Sequence, residues 1–572
     1  MRRLWFGTAA VMLCLVQTLA GGQVARADEN AIGEKLLPKD TLLFFTIPDV
    51  SEFKDQWDKS SSGALFRDAE FKPFLDDVKK KIEEKVQDEL GVSMDDLLEL
   101  ADGEITFALL EKPARKLSVV LMVDYGDNKE TVEKLLKKMH EALESEAEHS
   151  KEDVKDVEVN VFTFKNAPAE NPFKTLAYFN EDSYLVFSSE VAALKEVLDR
   201  WEGDSDDTLA TNDVFKYCMD RCKDESGEPT MKFFLNPIGL VQSGLNMVQT
   251  IQPQAGMVSP FLPMLGLDKL KGFGGASYVN AGDFDTVSKT FVYADSPTGV
   301  LNVFQFPATE ISPPKWVSSG VSVYFGGNWN IAGAYQAVEG LVDQFSGFFG
   351  EKRGALARWM DKAANDGPGI HPKKDVLDLL DGKFHVVQSV GTGEGDEPLT
   401  QKFFLALAVK DGAKAKKLLA TLAKSDGSPA ESREFNGETI YEIALPQGDQ
   451  TMSFAVAEGH LVLTNDTVML EGMLRGTSSG TSLADSAAYK KIAKHFPAKA
   501  SMISFQKSDA QFKVLYEMMK NAENQEFLEG VDLQKLPPFD VVQKYLRASG
   551  SYTIPDKKGA VMIGFQLKEG DK

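Results

Sequence analysis

The sequence predicts an α+β fold built as two tandem homologous domains, each an antiparallel sheet with helices packed on one face. Three observations predict it. The stretch Leu262–Phe291 aligns without a gap on Leu536–Phe565: Leu262-Pro263 meets Leu536-Pro537, Ser277-Tyr278 meets Ser551-Tyr552 and Phe291 meets Phe565, all at an offset of 274 (536 − 262). Segments with period-two alternation are followed by segments with helical spacing. Short turns join successive strands, which favours antiparallel pairing.

Taken in chain order, the first element is an export signal. Arg2 and Arg3, an apolar run from Leu4 to about Ala20 and Ala25-Arg26-Ala27 form a basic region, an apolar region and a small-x-small cleavage site. Cleavage is expected after Ala27, giving a secreted or periplasmic protein. Cys14 follows Leu13, not the small residue a lipoprotein anchor needs. No later run is apolar for ~18 residues, so no span is expected after cleavage. The remaining length exceeds one core. The net charge is −23, with 63 basic and 86 acidic residues. That balance disfavours nucleic acid and anionic lipid surfaces, which select for basic patches.

Strands led by proline are expected at Pro38–Ile47, Pro229–Leu235 and Pro497–Phe505, with a fourth at Pro314–Phe325. A Leu-x-x-cap-x-x-aromatic-Lys motif occurs three times, at Leu65–Lys72, Leu209–Lys216 and Leu483–Lys490. Asp68, Asn212 and Ser486 take the cap position and would start helices. Val92–Phe107 pairs with His371–Val386, read as a short helix, an Asp-Gly turn at Asp102-Gly103 or Asp381-Gly382, and a strand. Leu117–Val123 and Phe403–Val409 are strands leading into helices at Thr131–Met139 and Ala413–Leu422. The glycines of Gly391–Gly395 precede a strand, so a hairpin loop explains them better than phosphate binding, which needs a helix to follow. Asp182–Leu198 matches Glu458–Leu474 as turn, buried strand, cap and helix, so Ser188 and Ser189 read as capping residues. The predicted domains are 36–297 and 314–572, joined by a Pro-rich linker at 298–313 and preceded by the signal at 1–27.

The Pro-led strand (Leu36-Leu37-Pro38-Lys39-Asp40-Thr41), the Leu65–Lys72 motif, the Asp-Gly turns and Pro297–Leu301 carry a resemblance. On them the chain resembles an uncharacterised family of secreted bacterial proteins classed as a domain of unknown function, over nearly all of the mature chain. The resemblance implies no catalytic residue.

Candidates for chemistry are few. Cys218 and Cys222, at i and i+4 on one helix face, match Ile492 and Phe496 and read as a buried thiol pair. A disulfide between them is open but not favoured, because a regular helix holds the two Cα atoms near the upper limit of disulfide geometry. The acidic run with Asp204, Asp206 and Asp207 supplies oxygen ligands for calcium, but its spacing is not that of an EF-hand loop, and a solvated loop is the better reading. None of His140, His149, His371, His385, His460 and His495 forms a pair at metal-ligand spacing, and the positions matching His385 and His460 are Thr106 and Tyr184. Leu240–Leu270 is rich in Met, Leu and Pro and free of charge until Asp268. Met247, Met257, Phe261 and Met264 are its candidate apolar ligand contacts. The expected function is that of an exported, non-enzymatic protein that binds an apolar ligand or a cell-envelope partner, with no cofactor. A hydrolase with an unfamiliar site in the interdomain cleft, or a structural envelope component, are the alternatives.

Overall fold

The structure, a computed structural model, describes residues 32–90, 100–112, 116–165, 174–203, 205–249, 252–347, 350, 352–391, 400–425, 430–445, 451–476, 480–507, 512–513, 516–517, 520 and 532–568. The signal segment, Leu97, Leu98, Asp204 and the loop glycines Gly393 and Gly395 lie outside the described residues.

The described strands, in chain order, are β1 Leu43–Ile47, β2 Ile105–Lys112, β3 Lys116–Asp124, β4 Ala147–Val154, β5 Val157–Phe164, β6 Thr175–Glu181, β7 Tyr184–Ser188, β8 Met231–Leu235, β9 Leu270–Val279, β10 Phe284–Ala294, β11 Val323–Asn328, β12 Leu380–Gly391, β13 Thr400–Val409, β14 Glu431–Phe435, β15 Glu438–Ala444, β16 Thr451–Ala457, β17 His460–Thr464, β18 Met502–Gln506, β19 Ser549–Asp556 and β20 Gly559–Leu567. They form one antiparallel sheet. The pairings place β4-β5-β6-β7-β3-β2-β1-β8-β9-β10 on one side. On the other side lie β20-β19-β18-β11-β12-β13-β17-β16-β15-β14. Adding ten to each strand number of the first run and reversing it gives the second. All four Pro-led strands sit centrally, β1 beside β8 and β11 beside β18.

The two runs meet where β10 pairs with β20. Phe291 faces Val561, Val287 faces Phe565 and Lys289 faces Ile563. Each facing pair is related to its mirror by the same 274-residue offset, so the seam has a local two-fold centred between Lys289 and Ile563. Polar bonds tie the flanks together: Tyr217 donates to Asp556 Oδ1 at 2.6 Å, and Lys558 Nζ donates to the Tyr293 hydroxyl at 2.8 Å.

Helices pack on both faces of the sheet, not on one. On one face, Val191–Leu198 (α6), Asp213–Cys222 (α7), Thr467–Leu474 (α13) and Ala487–Ala493 (α14) join a single core that crosses the seam through Phe291, Ile563 and Phe565. On the other, Val50–Asp58 (α2) and Lys129–Leu143 (α5) cover the first half, and Gly412–Ala423 (α12) covers the second. The reason is in the strands. β3 and β7 are apolar at successive positions: Val120 and Met122 point into one core, Val123 into the other. A strand apolar on both sides needs cover on both, because each fully buried Val or Leu side chain contributes about 1.5–3 kcal/mol.

Local signals resolve case by case. Asn212 and Ser486 cap their helices, accepting from Phe215 N and Tyr489 N. Ser188 and Ser189 do not cap: Ser188 accepts from Glu190 N, and Ser189 accepts from Val119 N on β3, tying the end of β7 to its neighbour. Asp381-Gly382 is not a turn. It lies inside β12 at a register shift, where Gly382 takes φ +107° and its bare Cα faces the Trp329 carbonyl. The connection 298–313 lies along the second half, with Thr309 bridged to Ala500 and Ser501 donating to the Phe306 carbonyl. The outermost strands differ from the centre. β4 (AEHSKEDV) is exposed from Glu148 to Asp153, and β14 is the short ESREF. Among the described residues, no helix is long and apolar enough to cross a membrane.

Candidate binding surface and buried polar clusters

The uncharged stretch of the first half folds into helices beside the second half. Pro237–Gln249 (α8) is followed by a 3-10 turn at Pro253–Met257 and the short helix Phe261–Met264 (α9). In the second half, Ile331–Ser346 (α10) packs on Ala355–Asp366 (α11) and on the 3-10 turn Gly299–Val303. Phe261 stacks on Phe345 of α10, with ring centroids 6.2 Å apart. Leu265 accepts from Val300 N, closing the contact from the other side.

Among the described residues, this helical layer carries most of the exposed large hydrophobic side chains. Of the twelve large hydrophobic side chains exposed among the described residues, eight fall at 241–261, 304, 338 and 359. Met257 is 69% exposed, Phe304 66%, Trp359 53% and Phe261 41%. Single exposed apolar residues are ordinary, but their concentration on one set of contacting helices is not. Met257 and Phe261 therefore lie at this surface. Met247 and Met264 are half-buried and act as fillers beneath it. Phe304 and Trp359 were not among the sequence candidates: Phe304 lies in the proline-rich connection, and Trp359 belongs to a helix 55 positions further on (359 − 304).

At the corresponding place on the far side of the seam the described residues pack together. There Phe71 of the first half packs with Tyr516, Leu536, Phe539 and Val542 of the second in a compact core. Phe539 opens the helix Phe539–Gln543 (α15), and Phe74 and Leu75 come from Lys72–Leu90 (α4). Charged groups fasten its rim. Tyr545 donates to Asp68 Oδ2 at 2.7 Å, Asp532 N donates to Asp77 Oδ2 at 3.0 Å, and Lys535 pairs with Asp77. Lys535 stands at the place of Phe261 under the 274-residue offset. One side thus ends in a sealed aromatic core and an ionic rim, and its counterpart in uncovered apolar side chains.

The remaining candidates occupy different settings. Asp207 accepts from Arg200 Nη2 at 3.0 Å, and its carbonyl accepts from Arg200 Nε, so this carboxylate already holds a cation. Asp206 accepts through its carbonyl from Thr211. Cys218 and Cys222 are fully buried free thiols; Cys222 Sγ donates to the Gly274 carbonyl at 3.5 Å. Burial pushes both thiols up to about 12, and in Cys218 the neighbouring Cys222 adds to the effect. Native mature protein at pH 8 is accordingly expected to leave both unlabelled by a disulfide reagent while urea-unfolded protein labels both. Native labelling at the unfolded rate would contradict that placement.

Two buried polar clusters stand at matching places on β2 and β12. In the first half Glu104, 2% exposed, accepts from Ile32 N (2.7 Å), Gly33 N (3.0 Å), Thr46 Oγ1 (2.9 Å) and Thr106 Oγ1 (2.6 Å). Tyr184 lies 3.4 Å away, and burial together with this carboxylate pushes its hydroxyl well up. In the second half His385 and His460 meet, with ring centroids 5.4 Å apart, beside Trp316 and Tyr324. The pair lies on the strands of one half, not in a cleft between halves. Burial, then His460 and Lys383, bring His385 down to about 3. Burial also lowers His460, against the Glu458 carbonyl and carboxylate, which raise it. Two open depressions of about 400 Å3, near Lys417 and near His140, lie elsewhere.

No curated protein and no solved structure matches this chain. Residues 373–537, which run from the turn before β12 to the aromatic core beneath α15, match a family described as "Protein of unknown function (DUF3352)".

Proposed function

We propose that this is an exported binding protein made of two tandem copies of one α+β domain, which docks a cell-envelope protein on the apolar helical layer around Met257, Phe261, Phe304 and Trp359. The observation that carries the reading is the contrast across the seam: one helical corner sealed, its counterpart open and apolar. Identical strand order in the two runs and the offset-preserving pairing of β10 with β20 support the duplication. The basic and apolar N-terminal run with Ala25-Arg26-Ala27 supports export, with Asp28 as the first mature residue. An exposed layer suits a macromolecular surface better than a small apolar molecule, which is generally held in a concave site.

The test is site-specific photo-crosslinking in the native envelope. A crosslinker at Phe304 or Met257 is expected to trap a discrete partner, and one at Val468 or Leu463, exposed apolar positions far along the sheet, is not. Phe261→Asp should reduce the adduct about tenfold or more, the loss that removing an anchoring aromatic produces. No adduct, or equal trapping from all four positions, overturns the reading. An adduct with the same chain would identify a second copy as the occupant.

A further inference from the structure

The histidine pair of the second half has a geometry its surroundings do not require. His385 lies on β12 and His460 on β17, with β13 between them: His385 pairs with Ala406, and His460 with Ala408. Neighbouring strands lie about 4.8 Å apart, so these two backbones are about 10 Å apart or more. Ring centroids only 5.4 Å apart mean that the two imidazoles lean toward each other across β13. At the matching ladder position of the first half, Thr106 pairs with Met122, a long side chain that fills the same space.

Each ring is oriented through its inner nitrogen. His460 Nδ1 lies 2.7 Å from the Glu458 carbonyl, which can only accept, so Nδ1 carries the proton and Nε2 keeps its lone pair. His385 Nδ1 lies 2.9 Å from the Tyr324 hydroxyl, a partner that can accept from it and leave its Nε2 equally free. An outer hydrogen bond that fixes tautomer and ring plane is the usual support of a metal-ligating histidine. Trp316 stands edge-to-face to both rings, 6.0 Å from each, and its buried Nε1 has no partner among the described residues.

We propose that His385 and His460 form a two-coordinate site for a soft monovalent metal ion, copper(I) or silver(I), beside the Trp316 ring. Two imidazoles are too few for zinc, which takes four ligands, and among the described residues no third His, Cys, Asp or Glu completes a cluster. Imidazole suits copper, and a single charge is far cheaper to desolvate than two. The Glu458 carboxylate favours the added charge and Lys383 opposes it. His460 is half-buried and His385 is 8% exposed, which puts the way in on the His460 side.

Silver(I) nitrate is the probe, added to the mature chain in chloride-free buffer and followed by histidine 15N NMR and tryptophan fluorescence. One ion per chain is expected to shift the Nε2 resonances of His385 and His460 alone among the histidines. His385→Phe and His460→Phe, each checked for an unchanged melting temperature, should each weaken binding about 100-fold or more, beyond the loss caused by removing an outer-shell partner. Repeating the titration in Cys218→Ala/Cys222→Ala separates thiol capture from the histidine site. Shifts at other histidines only, or stoichiometric binding lost with the cysteines and kept without the histidines, overturn the proposal. So does an unchanged wild-type spectrum, which would mark the pair as a core contact.

Discussion

Gly559→Ala is expected to destabilise the protein by about 3 kcal/mol, an unusually large effect for a single methyl group. Gly559 begins β20 with φ +143°, a conformation essentially confined to glycine. A Cβ there would lie 1.8 Å from the Val292 carbonyl oxygen and 3.3 Å from Ala294 N. Both are backbone atoms of β10, so neither can swing aside. The Gly559–Tyr293 pairing would have to open, and with it the Ala294 N–H to Lys558 carbonyl bond of 2.8 Å. Gly564→Ala, in the same strand with open space around the added carbon, is the control and should change stability by less than about 0.5 kcal/mol. Urea unfolding of the two variants decides the matter. Equal midpoints would mean that the β10–β20 seam contributes little to stability.

Removing the Glu104 carboxylate is expected to cost more still, about 4 kcal/mol for Glu104→Ala. The mechanism is the orphaning of buried donors. Ile32 N, Gly33 N, Thr46 and Thr106 all donate to this one group, and each unsatisfied buried donor costs about 1–3 kcal/mol unless water replaces the partner. Glu104→Gln keeps the shape and one acceptor oxygen, so about half that loss is expected. Gly33 is part of the same device: a Cβ there would lie 2.6 Å from Thr106 Oγ1 and 2.8 Å from Glu104 Oε1. Because the clasp holds the first described residues, Glu104→Ala should also expose the chain before Leu36 to proteolysis. Limited digestion with N-terminal mass mapping checks this separately from global stability. An unchanged cleavage pattern would show that other contacts hold the segment.

Much of the fold was legible because strand and helix periods are local signals. The capped helices at Asn212 and Ser486 and the strand–helix pairs after Leu117 and Phe403 stand where their patterns put them, while the Pro-led strands start after their prolines, the fourth only at Val323. The two-sided helix cover was also written in the sequence: LSVVLMV at Leu117–Val123 is apolar at both parities, the mark of a strand buried on both faces. The single sheet was not, since β10–β20 pairing joins residues 266 to 283 positions apart and nothing local distinguishes an edge strand from an inner one. The apolar surface was half legible. A charge-free stretch showed Met257 and Phe261, but Phe304 and Trp359 reach the same layer only through the tertiary arrangement. His385 and His460 are 75 positions apart and show no ligand spacing. Sheet register alone brings them together across β13, and Glu104 is just another acid in a chain of 86 acidic residues until its neighbours are seen.

The chemistry of β4 and β14 has a bearing on how anything can bind. In the middle of the molecule a bare strand edge was used to weld one half to the other. At the two ends, glutamate, lysine and aspartate of β4 and glutamate and arginine of β14 crowd the free backbone, and an incoming strand would have to strip their water to pair there. Ribbon growth therefore stops at twenty strands, fibre-like stacking is discouraged, and recognition by β-augmentation is closed off. A partner is left with the helical flanks as its landing ground.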